Sequence, residues 1–304
     1  MMWELVGAVV GAGFASGREI AAFFAKYGAL GFAGIAAAGV VLCMLGTIQH
    51  PIQWRFHWME KAWRFLLAAM LVTTAGAMLA GAGELAGLIL PIRGARLVGL
   101  AGTYVLAWML ANRSISGFAW VSKVLLIVLC GIIFAALLRR TDTACLIVTE
   151  KETGWLLSGM MYGGFNAALQ VPILEGRHES AIRKRCVVKA SMIFCFLVVL
   201  GTALLLKAPE LIYEPMPFLK AVGSWGKTGY VVFALCLYLS ILSTLTACFK
   251  GVKSMFEMLA VIALSQFGFT GVVDQLYPLL GTGCFLMLVC AKFAKTGSSP
   301  FHSR

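Results

Sequence analysis

Two glycine-rich strings interrupt what would otherwise run on as apolar helix. One is Gly11-Ala12-Gly13-Phe14-Ala15-Ser16-Gly17; the other is Tyr162-Gly163-Gly164-Phe165-Asn166-Ala167. Glycine lowers the cost of an unwound turn and lets a ligand approach the backbone. A break frees amide N–H groups at the start of one half-helix and carbonyls at the end of the other. The first attract anions and the second attract cations, so one break offers both poles that a zwitterion needs. Tyr162 and Asn166 add polar side chains beside the second string. Ser16-Gly17-Arg18-Glu19 has the spacing of a capping box, which accounts for Ser16 and Glu19 through the helix restart alone and stands beside a direct functional role.

A third polar group is Ser240-Ile241-Leu242-Ser243-Thr244. The Ser240 carbonyl and the Ser243 and Thr244 hydroxyls are spaced to converge on one small hard cation such as Na+. The alternative is that the hydroxyls bond back to their own helix or across to a neighbour. Three ionisable residues fall at membrane depth, where charge is costly and marks function by default. Arg18 and Glu84 are expected at similar depth and are predicted to pair as an outer latch. Lys123 either snorkels to the inner surface or projects inward and takes the cation position.

The elements that must position these groups are membrane helices. The chain has 304 residues, 61% apolar and only 12% charged, with a mean hydropathy of +0.90. A soluble globule of this size cannot hide that much apolar surface. The apolar runs are about 20 residues long and do not alternate, which argues against a barrel. Ten spans are expected, at 3–25, 28–49, 65–90, 94–112, 115–138, 154–175, 186–207, 228–249, 254–270 and 275–294. The first has no basic leader and does not read as a cleaved signal peptide. It begins abruptly, which leaves its opening half-helix short. Gly31-x-x-Gly34 and Gly81-Ala82-Gly83 read as close-packing positions.

The net charge of +12 does not point to nucleic acid. With a cytoplasmic N-terminus, inward segments carry more Lys and Arg than outward ones, and the cluster at 177–189 is the strongest part of that bias. Both termini are therefore expected in the cytoplasm. The partners expected are the lipid bilayer and a small-molecule solute, with no protein partner evident. The nine cysteines form no C-x-x-C pair and read as small core residues. Neither metal-ligand spacing nor a nucleophile–base pair is present, so no enzyme and no cofactor are expected, apart from Na+ as a coupling ion.

Aligning Gly13-Phe14 with Gly164-Phe165 overlays span five on span ten. The chain thus reads as two halves of five helices, 1–140 and 150–296, related by an inverted repeat, followed by a cytoplasmic tail, 297–304. Paired interruptions at matching positions of two halves point to a transporter binding site.

The string GAGFASGREIAAFF at 11–24 resembles the first helix of the YkvI-type bacterial membrane proteins. These look like members of the amino acid–polyamine–organocation transporter superfamily, and YGGFN and SILST fit the same pattern. The resemblance implies an all-α, LeuT-like, five-plus-five fold in the bacterial cytoplasmic membrane, with spans one and six broken. It implies that the backbone around Gly11, Ala12, Gly13 and Phe14 faces a substrate carboxylate, with Tyr162, Gly163, Phe165 and Asn166 on the other side. In sodium-coupled relatives the carbonyls corresponding to Gly7 and Val10 meet the hydroxyl group of span eight, here Ser240, Ser243 and Thr244. In proton-coupled or sodium-independent relatives a span-five lysine, here Lys123, takes that place. The expectation is a secondary transporter of an amino acid or related amine, working by alternating access. The alternative is a non-transporting sensor built on the same fold.

Overall fold

The computed structural model describes residues 2–9, 11–48, 52, 54, 56–112, 118–139, 153–175, 180–252 and 254–296. Helices joined by turns make up this part of the chain, with no strand among the described residues. In chain order they are α1 (Met2–Val9), α2 (Ala12–Ser16), α3 (Arg18–Phe23), α4 (Leu30–Gly46), α5 (His57–Ile89), α6 (Ala95–Ala111) and α7 (Phe118–Arg139). Then come α8 (Trp155–Glu175), α9 (Ser180–Leu206), α10 (Pro217–Gly223), α11 (Lys227–Gly251), α12 (Met255–Ser265), α13 (Gly268–Gly271) and α14 (Tyr277–Thr296). A π turn, Val272–Leu276, joins α13 to α14.

Among the described residues, four stretches are long and apolar enough to cross a membrane by themselves: His57–Ile89, Ala181–Leu206, Lys227–Gly251 and Gly268–Phe293. Shorter apolar helices, among them Leu30–Gly46 and Ala95–Ala111, stand beside them. Large apolar side chains also point outward: Phe65 is 76% exposed, Leu97 67%, Met192 67% and Leu279 68%. Water would penalise that surface at every such residue, whereas lipid does not. The protein is an all-α polytopic membrane protein.

The first span is interrupted twice. α1 stops at Val9, and Gly11 is extended (φ −82°, ψ −173°) before α2 begins. α2 lasts five residues and ends at Gly17, whose φ of 85° is open to glycine and strained for any L side chain. The Phe218 ring lies where a Cβ on Gly17 would stand, at 2.8 Å, so both backbone angle and space require glycine there. The expected capping box at Ser16–Glu19 does not form. The left-handed turn swings Ser16 Oγ to accept from Arg18 N (3.2 Å) and to donate to the Gly13 carbonyl (2.7 Å). Glu19 is thereby released for another partner. The capping box found in the structure is Ser254–Glu257, where each side chain answers the other's backbone N–H at the start of α12.

Span six is not broken. α8 runs unbroken from Trp155 to Glu175, with Pro172 inside it. Its glycines serve close approach rather than unwinding. α8 lies between α4 on one side and α14 on the other. A Cβ on Gly163 would stand 2.7 Å from the Ala38 carbonyl oxygen of α4, and one on Gly164 would stand 2.6 Å from Phe285 Cβ of α14. Gly159 meets the Gly34 backbone, and Gly281 of α14 returns the contact against the Met161 carbonyl. With both faces covered by backbone at this range, the hydrogen-bonded helix is the form that leaves no peptide group unpaired in the membrane.

Candidate functional site

A cavity of about 750 Å³ enters the bundle between the broken first span and α5, α8 and α11. Gly7, Pro172 and Ala247 are exposed at its mouth, and it ends against Gly13, Glu19, Phe165 and Tyr277. Along α5 the wall runs from Leu67 to Met78, about 16 Å of helical rise and so about half of the hydrocarbon core. The wall is mainly apolar, with Met70, Leu71, Met78 and Leu169 prominent. No Lys, Arg or His lies among the described lining residues; the two acidic ones are Glu19 at the closed end and Glu257 near the mouth.

Several residues singled out from the sequence meet here. Gly7, Gly11 and Gly13 line the cavity from the broken span, Phe165 and Asn166 from α8, and Ser243 and Thr244 from α11. A side chain on Gly11 would come to 3.9 Å from the Thr244 hydroxyl, so the break and α11 face each other directly. Ser240 is half-buried and does not line the cavity. Thr246 bonds back to the Leu242 carbonyl at 2.7 Å. Phe14 and Tyr162 are fully buried behind the lining, and Gly163 faces α4. Val10 and the tail 297–304 lie outside the described residues. Ala12 belongs to α2 and Lys123 to α7, and their side chains also lie outside the described residues.

Of the two roles that the sequence leaves open for Glu19, the capping box is the one it does not take. Its side chain leaves the helix start and crosses to α8, where it accepts the Tyr162 hydroxyl at 2.7 Å. It is 6% exposed. Its other carboxyl oxygen lies over Gly13, so close to the backbone that a Cβ there would collide with it. Asn166 donates from Nδ2 to the Tyr162 carbonyl (2.9 Å), and Tyr277 stacks on Phe165 with ring centroids 4.6 Å apart. A cluster of Phe23, Phe24, Tyr162 and Phe194 closes the bundle beyond Glu19. Ser158 of α8 donates to the Phe23 carbonyl at 2.8 Å and satisfies the end of α3.

The predicted Arg18–Glu84 latch is not made. Arg18 bonds Asp274 of the π turn through Nε (3.1 Å) and a second guanidinium nitrogen. It also donates to the carbonyls of Ile212 (3.0 Å) and Glu214 (3.4 Å). Glu84 pairs instead with Arg96 at 3.3 Å. The reason is local: Gly83 and Gly99 bring α5 and α6 into backbone contact, which sets Arg96 beside Glu84. The Glu84–Arg96 pair is half open to solvent on the Arg96 side, so Glu84→Gln is expected to lower stability by less than about 1 kcal/mol. Arg18→Gln, which removes a two-bonded ion pair and its hold on two carbonyls, is expected to lower it by about 2–3 kcal/mol. Thermal unfolding of the two variants side by side checks the order.

No family model matches the chain. It is similar to the uncharacterized membrane protein YkvI of Bacillus subtilis (strain 168), with 27% identity across 91% of this chain and 90% of that protein. The likeness to the YkvI-type membrane proteins read from the first-span string therefore extends along about nine-tenths of both chains.

Proposed function

We propose that the protein is a secondary active transporter of a small solute, an amino acid or related amine, that works by alternating access. The observation that carries this reading is the one-ended cavity. It is open at Gly7, Pro172 and Ala247, reaches about half-way through the bundle, and stops at the twice-broken first span. Beyond that floor stand the aromatic cluster and the Arg18–Asp274 pair. A continuous pore would have no such floor. A site reached from one side and sealed on the other is what alternating access requires.

In this reading the fold is the ten-span, five-plus-five LeuT-like arrangement of the amino acid–polyamine–organocation superfamily, set in the bacterial cytoplasmic membrane with both termini inside. Span six then takes part as an intact helix whose Phe165 and Asn166 face the cavity, and span one supplies the break. Na+ held near Gly7, Ser243 and Thr244, or a proton, is the coupling ion. The protein performs no chemistry on the solute.

The test is counterflow in proteoliposomes preloaded with leucine, phenylalanine or their decarboxylated amines. A transporter accumulates labelled solute against the preload; a sensor binds it and exchanges none. Asp274→Asn supplies a conformational check. It removes one charge from the closed end, worth about 1–2 kcal/mol at this partly exposed position. Hydrogen exchange at 209–223 is expected to speed up about five- to thirtyfold, because 1.4 kcal/mol is about tenfold in population. Unchanged exchange there would show that the pair does not hold the closed end.

A further inference from the structure

The floor of the cavity carries its own carboxyl group, Glu19, and that bears on what it can hold. The geometry points to an ammonium site in which Glu19 is the counter-charge, the solute is an apolar amine without a carboxylate, and the amine exchanges against a proton on Glu19. The exchange half rests on the transport reading above; the binding half does not.

Three observations carry it. First, the amide end of α2, where an incoming carboxylate would be drawn, is already covered. Glu19 of the same chain lies over Gly13 and holds its place through the Tyr162 hydroxyl. A second carboxyl group there would find the place taken, and one arriving with an ammonium that displaces the proton would then meet like charge; the single turn of α2 offers little dipole to offset this. Second, no Lys, Arg or His lies among the described lining residues, so none of them repels an incoming cation. Third, the groups around Glu19 suit an ammonium. Phe165 and Tyr277, stacked on each other, line the same floor, and aromatic rings attract a cation in a desolvated site. Asn166 spends its amide N–H on the Tyr162 carbonyl, which leaves its oxygen to accept. The apolar wall beyond takes the body of the ligand.

A carboxylate facing hydrocarbon depth without a cation is costly. The empty site therefore holds a proton on Glu19, and an arriving ammonium displaces it. One positive charge leaves as one enters, the site keeps its net charge, and proton and amine cannot occupy it together. The titratable neighbours agree with this division. Tyr162 faces Glu19 from α8, and Tyr277 lines the same floor from α14. Arg18 on α3 and Asp274 on the π turn are bonded to each other. Lys26, in the turn after α3, lies over the Tyr27 ring. α9 turns Phe194 and Gly201 toward this region.

The test uses the purified full chain in detergent with three ligands of one shape: phenethylamine, phenylalanine and 3-phenylpropionate. Phenethylamine is expected to raise the melting temperature, and the other two are not. Its apparent affinity is expected to rise with pH, approaching tenfold per unit while the empty site is protonated. Calorimetry in two buffers of different ionisation enthalpy is expected to show one proton released per amine bound. Glu19→Gln is expected to lose both the amine response and its pH dependence. If that variant does not fold, Glu19→Asp is expected to keep proton release with weaker binding. Binding of phenylalanine at least as strong as that of phenethylamine, no response to either, or an amine response that survives in Glu19→Gln overturns the proposal. Amine binding with proton release but without counterflow overturns the transport reading and leaves the ammonium site standing. Leucine counterflow by Glu19→Gln does the reverse.

Discussion

Gly13→Ala is expected to reduce solute exchange about a hundredfold while the protein still folds and inserts. Gly13 has no left-handed backbone angle, so alanine is intrinsically welcome in α2. The cost comes from outside the helix. The new Cβ occupies the space of the Glu19 carboxylate. That group sits at the end of a flexible side chain and can swing aside, but it then gives up the Tyr162 hydroxyl at 2.7 Å. Giving up that buried hydrogen bond costs about 1–3 kcal/mol, which the fold tolerates. The site does not tolerate the movement, because a displacement of about 1 Å at a reacting or binding group costs about two powers of ten. Tyr162→Phe removes the same bond without the collision and is expected to lose less activity. Counterflow rates and melting temperatures of the two variants, measured together, check this. Wild-type exchange by Gly13→Ala would mean that the Glu19–Gly13 contact has no part in the site.

Gly159→Ala is expected to be the most destabilising single-methyl substitution along α8, by about 2–4 kcal/mol. The added methyl would run into the Gly34 backbone of α4, and backbone cannot rotate out of the way. The two helices would have to separate, and Gly163 and Gly164 would lose their contacts in turn. Gly102 of α6 is the control, since nothing lies within 4 Å of the position a Cβ would take. There alanine is expected to stabilise by about 0.5–1 kcal/mol, through the lower entropy cost of ordering alanine in a helix. Equilibrium unfolding of both variants gives the comparison. Equal effects at the two positions would show that α4 and α8 do not meet as described.

The helices were legible because each is written in a local pattern. The apolar run that became α5 and the run that became α11 are visible by length alone. So was the interruption of the first span by its glycine string, although the structure sets the two turns at Gly11 and Gly17 and keeps Gly13 inside α2. The second glycine string looks the same on paper and does something else. Glycine permits an unwound turn and it also permits helices to touch, and the choice belongs to the neighbour. At Gly163 and Gly164 the neighbours are Ala38 and Phe285, each more than a hundred residues away in the chain. The ion pairs went the same way. Arg18 and Glu84 were each recognised as costly charges, but Asp274 and Arg96 became their partners because the π turn and the Gly83–Gly99 contact set them within reach.

Composition and hydrophobic period alone determined the solvent this protein lives in, its helical class and the place where its first span gives way. These are short-range properties, fixed by side-chain transfer energies and by the backbone freedom of a few residues. Only the tertiary structure decided that span six stays whole, that Glu19 leaves its own helix for Tyr162, and that the cavity floor is acidic. Each of these is a contest between partners distant in sequence, and such a contest is settled by which groups the packed helices bring within about 3 Å of each other.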